Sequence, residues 1–208
     1  MSTALENKAK LDIGYVKIAT ALGSIYQVFP FLLNSPLEGS STEVQLSVSA
    51  DPMFAAPLKY NKAVWIGYAD STLLNVRDFL VGEYGTFYVG DKQPFQPFQL
   101  VRTNRLASIG RGEYSVSGAI TETVVMFAEK IPVFMQFTRE DIQKSAATYS
   151  GSQIGRAVTH WTAFIPMPPD SLKQDDVLVD LQDGVTYIID APDFTNMGYV
   201  CHLRLSTI

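Results

Sequence analysis

Apolar and polar positions change their rhythm once along this chain, and the change divides it into a helical beginning and a long β remainder. Leu11, Tyr15, Ile18 and Leu22 recur at spacings of four, three and four, which places them on one face of an α-helix. A helix is predicted over residues 4–22, with Thr3 and Glu6 as a capping box and Gly23 as its C-terminal stop. Gly14 inside it costs about 1 kcal/mol relative to alanine, so the helix depends on docking its stripe against something larger. From Ser24 onward the period is two. Val44, Leu46 and Val48 alternate with Gln45 and Ser47, and aromatic or β-branched residues crowd 25–29 and 64–68, all strand chemistry. Pro30, Pro36, Pro52, Pro57, Pro94 and Pro97 exclude long helices there.

Residues 98–102 read as the closing strand of a first unit and 108–113 as a linker. Apolar strands follow at 124–127 and 133–137, separated by Glu129, Lys130, Ile131 and Pro132. Residues 138–157 are polar apart from scattered Ile142, Tyr149 and Ile154, and read as a long loop, functional by its length, with a short helix at 140–148 as an option. Val158, Trp161 and Phe164 lead into a strand stopped by the prolines of 166–169. In the last strand Tyr199, Cys201, Leu203 and Leu205 alternate with Val200, His202 and Arg204, so Cys201 is expected to be a small buried apolar residue.

Two stretches echo one another. Asp78 to Asp91 and Asp176 to Asp190 are each a short apolar strand, a glycine turn and a second strand of aromatic and β-branched residues. Leu80 and Val81 answer to Leu178 and Val179. With one extra residue in the second turn, Gly85, Tyr88, Val89 and Asp91 answer to Gly184, Tyr187, Ile188 and Asp190. The alternative is chance likeness between hairpins. A true repeat means two small β domains in tandem, residues 1–110 with the helix and 111–208 with the long loop, and each is within the normal domain size.

The composition of the 208 residues adds a constraint: charged residues are only 18% against 47% apolar, below the roughly 25% charge of ordinary soluble domains. Surface destined for burial against partners is expected. A net charge of -5 argues against gripping nucleic acid, which requires clustered Lys and Arg. Cys201 is the only cysteine, which rules out an internal disulfide and a cysteine-rich zinc site. With no signal-like apolar run at the start and no stretch near 18–20 apolar residues, the expectation is synthesis and folding in the cytoplasm, without membrane insertion.

Reactive groups are few. His160 and His202 have no partner at metal-ligand or triad-like spacing, and a structural or surface role is expected for both. Gly110-Arg111-Gly112 lacks the lysine and strand-to-helix setting of a phosphate loop. Asp175, Asp176, Asp180 and Asp183 cluster at the second hairpin, where aspartates start turns; calcium binding is the alternative, although the spacing is not that of an EF-hand. Phe95, Phe98, Phe127, Phe134, Phe137 and Trp161 are expected in core or interface, with a ligand pocket as the alternative. No catalytic residue, metal ligand or cofactor is assigned.

The runs 66–70, 78–82 and 85–89, Gln93-Pro94, and 101–105, with 176–180, 184–188 and 197–199 in the second half, resemble the neck or collar proteins of tailed bacteriophages, and more loosely their head-closure proteins. The resemblance touches most of the chain except 113–157. It implies a non-enzymatic virion protein, made in the host cytoplasm, that forms a ring of its own copies between portal and tail. Implied partners are the portal or its adaptor, tail proteins, and DNA that passes through the channel without specific binding. Low charge and extended elements suit a ring subunit, and an acidic chain suits a conduit for DNA. Tyr149 and Ile154 are the candidate subunit anchors; the alternative is a loop that folds back on its own domain. The rival readings are a tail-completion or tail-terminator subunit, a cytoplasmic ligand-binding β protein and, last, an enzyme.

Overall fold

The computed structural model of the chain describes residues 2–50, 63–114, 120–140 and 158–206. It begins with α1 (Ser2–Leu22), then β1 (Ser24–Phe29), β2 (Thr42–Ser49), β3 (Val64–Tyr68), β4 (Phe79–Gly82), β5 (Gly85–Asp91) and β6 (Phe98–Arg102). After Thr103 and Asn104 come β7 (Arg105–Tyr114), β8 (Ile120–Glu140), β9 (Val158–Ile165), β10 (Val177–Asp180), β11 (Thr186–Thr195) and β12 (Gly198–Leu205). The fold is mainly β with one N-terminal helix and two closed six-stranded barrels in tandem. The first barrel runs β1-β2-β3-β6-β5-β4 and the second β7-β8-β9-β12-β11-β10, so each strand of one has a counterpart six places later.

Register turns this shared order into residue-by-residue equivalence. Tyr26 faces Val44 as Ala107 faces Ile131, and Gln27 faces Val81 as Ser108 faces Val179. Leu80 faces Phe87 as Leu178 faces Tyr187. Trp65 and Val89 both face Leu100, as Trp161 and Ile189 both face Leu203. Val48 faces Gly67 as Met135 faces Ala163. A bulge follows Val89 in one barrel and Ile189 in the other. The two tryptophans are therefore equivalent, and each meets the equivalent aromatic ring, Phe87 at 5.6 Å and Tyr187 at 5.8 Å. Inward positions exchange volume around them. Tyr26 and Phe98 stand where the second barrel has Ala107 and Cys201, while Val28, Gly67 and Ala69 stand where it has the larger Ile109, Ala163 and Ile165. Such compensation keeps both interiors close-packed.

The hairpin echo is thus structural, with one correction. Val81 pairs with Thr86 around residues 82–85, whereas Val179 pairs with Thr186 around 180–185, so the second turn is longer by two residues, not one. Tyr187 corresponds to Phe87, and Ile188 to Tyr88. Pleat parity decides the matter: one step of register would exchange the inward and outward faces, and Phe87 and Tyr187 both point inward.

Three other expectations change. Residues 108–113 are not a linker but part of β7, where Ile109 is fully buried and a side chain on Gly110 would collide with Val124 and Met126; strand pairing passes from one barrel to the other at Thr103 and Asn104. Residues 120–140 form one strand rather than two: Lys130, at φ 53°, lies in a bulge of the β7 pairing between Ala128 and Ile131, and the strand runs on to pair with β9 from Phe134. The helix begins at Ser2, so Thr3 lies inside its first turn. Gly23 does end the helix, donating its N–H to the Ala19 carbonyl. Its smallness is required by approach rather than by torsion: a Cβ there would sit 2.7 Å from the Leu46 carbonyl.

The barrels pack as one body. Phe79, Tyr88 and Val101, on the outside of the first, share an apolar cluster with Phe134 and Phe164, which alternation places on the outside of the second. The connecting Asn104 pairs its side-chain amide with both the N–H and the C=O of Met135, each at 2.8 Å. The Tyr88 hydroxyl donates to the Met197 carbonyl. The β1–β2 connection reaches across as well, with Leu33 and Ser35 bonding the backbone of Glu129 in a short parallel bridge at Asn34.

Candidate assembly surface

Each barrel enters its fourth strand through the same acidic turn. Arg77 and Asp175 occupy the left-handed region at φ 76° and 69°, and Asp78 and Asp176 follow. Each of these aspartates bonds the strand opposite, Val89 or Ile189, and a carboxylate oxygen accepts a 2.7 Å bond from the N–H three residues back, Asn75 or Lys173. This is an Asx-type cap repeated at equivalent positions. The copies differ in charge. Arg111 reaches Asp176 with both Nε and Nη2, at 2.7 and 2.8 Å, and lies 5.3 Å from the Phe127 ring. Bidentate pairing with this carboxylate raises the Arg111 pKa further. The first barrel has Pro30 at the place of Arg111, and burial raises the Asp78 pKa.

The remaining acids of the second hairpin are also engaged. Asp180 is buried, accepts from the Gln182 N–H and lies 3.5 Å from Arg105, which pairs with Asp183 at 2.9 Å. Asp176, Asp180 and Asp183 meet arginines, and Asp176 and Asp180 also accept from backbone N–H groups. No group of three or more metal-ligating side chains converges among the described residues.

Two hairpin stems project from the second barrel. The barrel wall uses Ala107–Gly110 of β7 and Trp161–Ile165 of β9. Beyond it, Arg111–Tyr114 pair with the early part of β8, while Thr138–Glu140 pair with Val158–His160. Because β8 runs in one direction through both, the stems leave opposite ends. Arg111 anchors the first stem to the acidic turn. At the base of the second, Phe137 is 56% exposed and its ring meets Trp161 at 5.6 Å.

The other predicted residues disperse. Tyr149 and Ile154, with residues 141–157 of the loop and optional helix expected around them, lie outside the described residues; Thr138–Glu140, expected to begin that loop, are strand instead. His160 is in β9 opposite Thr138, and His202 is opposite Thr162. Cys201 is buried, and its thiol pKa is pushed up to about 12, chiefly by desolvation. Phe98 and Phe134 are buried, in the separate apolar clusters of the first barrel and of the barrel junction, while Phe95 is exposed beside α1, where its carbonyl accepts from Tyr15. Sequence reasoning missed the Arg111–Asp176 pair, although the repeat had already aligned Asp78 with Asp176.

Comparison of the chain with models of known protein families, with curated proteins and with solved structures finds no match. No described helix is long and apolar enough to cross a membrane.

Proposed function

We propose that the chain is a structural subunit of a tailed-bacteriophage neck, forming a head-to-tail connector ring between portal and tail. The observation that carries this reading is the pair of hairpin stems leaving opposite ends of one rigid barrel. A connector subunit must touch what lies above and what lies below at once, and one strand running through both stems supplies the two reaches. The resemblance to neck proteins supports the same reading, since its quoted runs fall on β3–β6 and β10–β12, the walls of the two barrels. Interiors filled by side chains favour scaffolding over ligand capture, and a net charge of -5 suits a conduit that does not hold DNA.

The test is imaging of purified particles with the chain labelled at Met1. A ring of label at the head–tail junction is expected. Label confined to the far end of the tail, or absence from particles, refutes the proposal.

A further inference from the structure

The two barrels finish one end with different chemistry. In the first, Arg102 follows Leu100 by two positions on the inward face of β6, and its guanidinium lies 5.7 Å from the centre of the Trp65 ring, the separation of a cation–π contact. In the second, register puts Leu205 at the place of Arg102 and Trp161 at the place of Trp65. Tyr187 faces Leu205 as Phe87 faces Arg102, and Trp161 faces Leu203 as Trp65 faces Leu100. The tryptophan is kept, and the cation over it is replaced by leucine.

Trp161 is half-buried among exposed apolar neighbours. Leu205 is 56% exposed, and a leucine ends at its δ-carbons, short of where an arginine carries its guanidinium. Phe137, equally exposed, meets Trp161 at 5.6 Å from β8, the flank away from β12, and the buried Tyr187 ring meets it at 5.8 Å. The first barrel lacks this phenyl wall: two positions beyond Val48, the counterpart of Met135, it has Ala50. A ring added to fill a core would be covered, and Phe137 is not; exposed apolar groups gathered at one spot mark a contact site. Charge at this end favours a cation. Asp180 and Asp183 lie 3.5 and 2.9 Å from the single guanidinium of Arg105, which leaves negative charge in excess beside Tyr187. Burial raises the Tyr187 pKa most, Asp180 and Asp183 raise it further, and Arg105 opposes them. Arg204, next to Leu205, is matched by Asp190 at 3.0 Å.

We propose that this end of the second barrel is a receptor for an arginine side chain carried by a partner protein, held against Phe137 and Trp161 with Asp180 and Asp183 as its counter-charge. The first barrel makes the same contact within one chain, through Arg102 on Trp65. Arginine suits the place better than lysine because a guanidinium is planar, weakly hydrated and stacks on aromatic rings, and an aromatic pocket that buries one arginine is a usual anchor of a protein interface. A phosphate-bearing ligand would meet the excess negative charge. The site lies at the base of the second stem, so the arginine belongs to whatever the stem touches, and the contact does not depend on the assembly in which the chain serves.

The test titrates the full chain, labelled with nitrogen-15, with a short glycine peptide that carries one central arginine and is blocked at both ends, following the backbone amide signals of Phe137, Trp161 and Leu205. These signals should shift to saturation with a dissociation constant of about 1–10 mM. The same peptide with citrulline, which keeps the shape and loses the charge, should bind about ten-fold more weakly. Leu205→Arg, a change at an exposed position, supplies the cation from within the chain as Arg102 does and should abolish the response, and Phe137→Ala should weaken binding about five-fold. Signals that do not move at about ten times the expected constant, citrulline binding equal to arginine, or a folded L205R chain that binds the peptide as well as wild type each overturn the proposal. If F137A does not fold, the citrulline and L205R results decide. Particle imaging can fail while peptide binding holds, and the reverse, so the two proposals fall separately.

Discussion

Replacing the two equivalent aspartates by asparagine should have opposite consequences, although the turns superpose bond for bond. In Asp176→Asn the amide still accepts from the Lys173 N–H, but the bidentate, charge-assisted contact with Arg111 is lost. Hydrogen bonds to charged groups contribute about 1.5–3 kcal/mol each, and breaking a fully buried ion pair costs about 3–5 kcal/mol. The Arg111 side chain is 42% exposed and can rehydrate, which places the loss near about 2 kcal/mol. For a chain of this size that lowers the melting temperature by about 4–8 °C. Asp78→Asn keeps the acceptor for the Asn75 N–H and removes a charge that burial disfavours and that has Pro30 where Asp176 has Arg111, so the change at pH 8 should stay within about 0.5 kcal/mol or be stabilising. The pH dependence follows from the sign of the shift. Burial raises the Asp78 pKa in the folded state, against the weaker opposing pull of neighbouring N–H groups and Lys92. The folded protein therefore binds the proton more tightly than the unfolded chain. The wild type is favoured at pH below the unfolded value, and this contribution is lost as pH rises through the folded value. Relative to wild type, D78N should gain stability between pH 4 and pH 8. Urea denaturation of both variants at the two pH values measures it. A D176N protein no less stable than D78N, or a D78N protein that loses more than 1 kcal/mol at pH 8, would refute the reasoning.

Gly23→Ala brings a Cβ to 2.7 Å from the Leu46 carbonyl and should destabilise by about 1–3 kcal/mol, read as a lower thermal midpoint, whereas Gly14→Ala, with nothing within 4 Å, should stabilise the helix by up to about 1 kcal/mol. Asn104→Ala removes both amide bonds to Met135; a loss of about 1–3 kcal/mol is expected, with faster hydrogen exchange at Met135. Cys201, buried and with its pKa pushed up to about 12, should resist a thiol reagent at pH 8 in the native protein and react at once in 6 M guanidinium.

Much of this architecture was legible because its signals are local. Alternation at Val44, Leu46 and Val48 set the inward face of β2, and the Leu80–Val89 and Leu178–Ile188 runs announced two hairpins before any pairing was known. What could not be read was decided by distant partners. The turn between β10 and β11 hides the second of its two extra residues because Tyr187 and Ile188 are both strand residues, and only cross-strand pairing tells which points inward. Glu129 to Pro132 resembles a break between strands, yet β8 takes up Lys130, in the left-handed region, within a bulge and continues. Gly110 and Gly112 suggest a linker by composition, yet both lie in β7, where Val124 and Met126 crowd Gly110. Arg111 meets Asp176 across 65 positions, a separation that spacing rules do not span. On the candidate surface, the low charge pointed to buried contacts but not to their location.

The matched placement of Trp65 and Trp161 gives each half of the molecule its own optical reporter. As these are the only two tryptophans, a chain with Trp65→Phe emits from the second half alone, and one with Trp161→Phe from the first. Unfolding followed through each in turn would reveal whether two copies of one topology, joined by two residues, melt together or in succession.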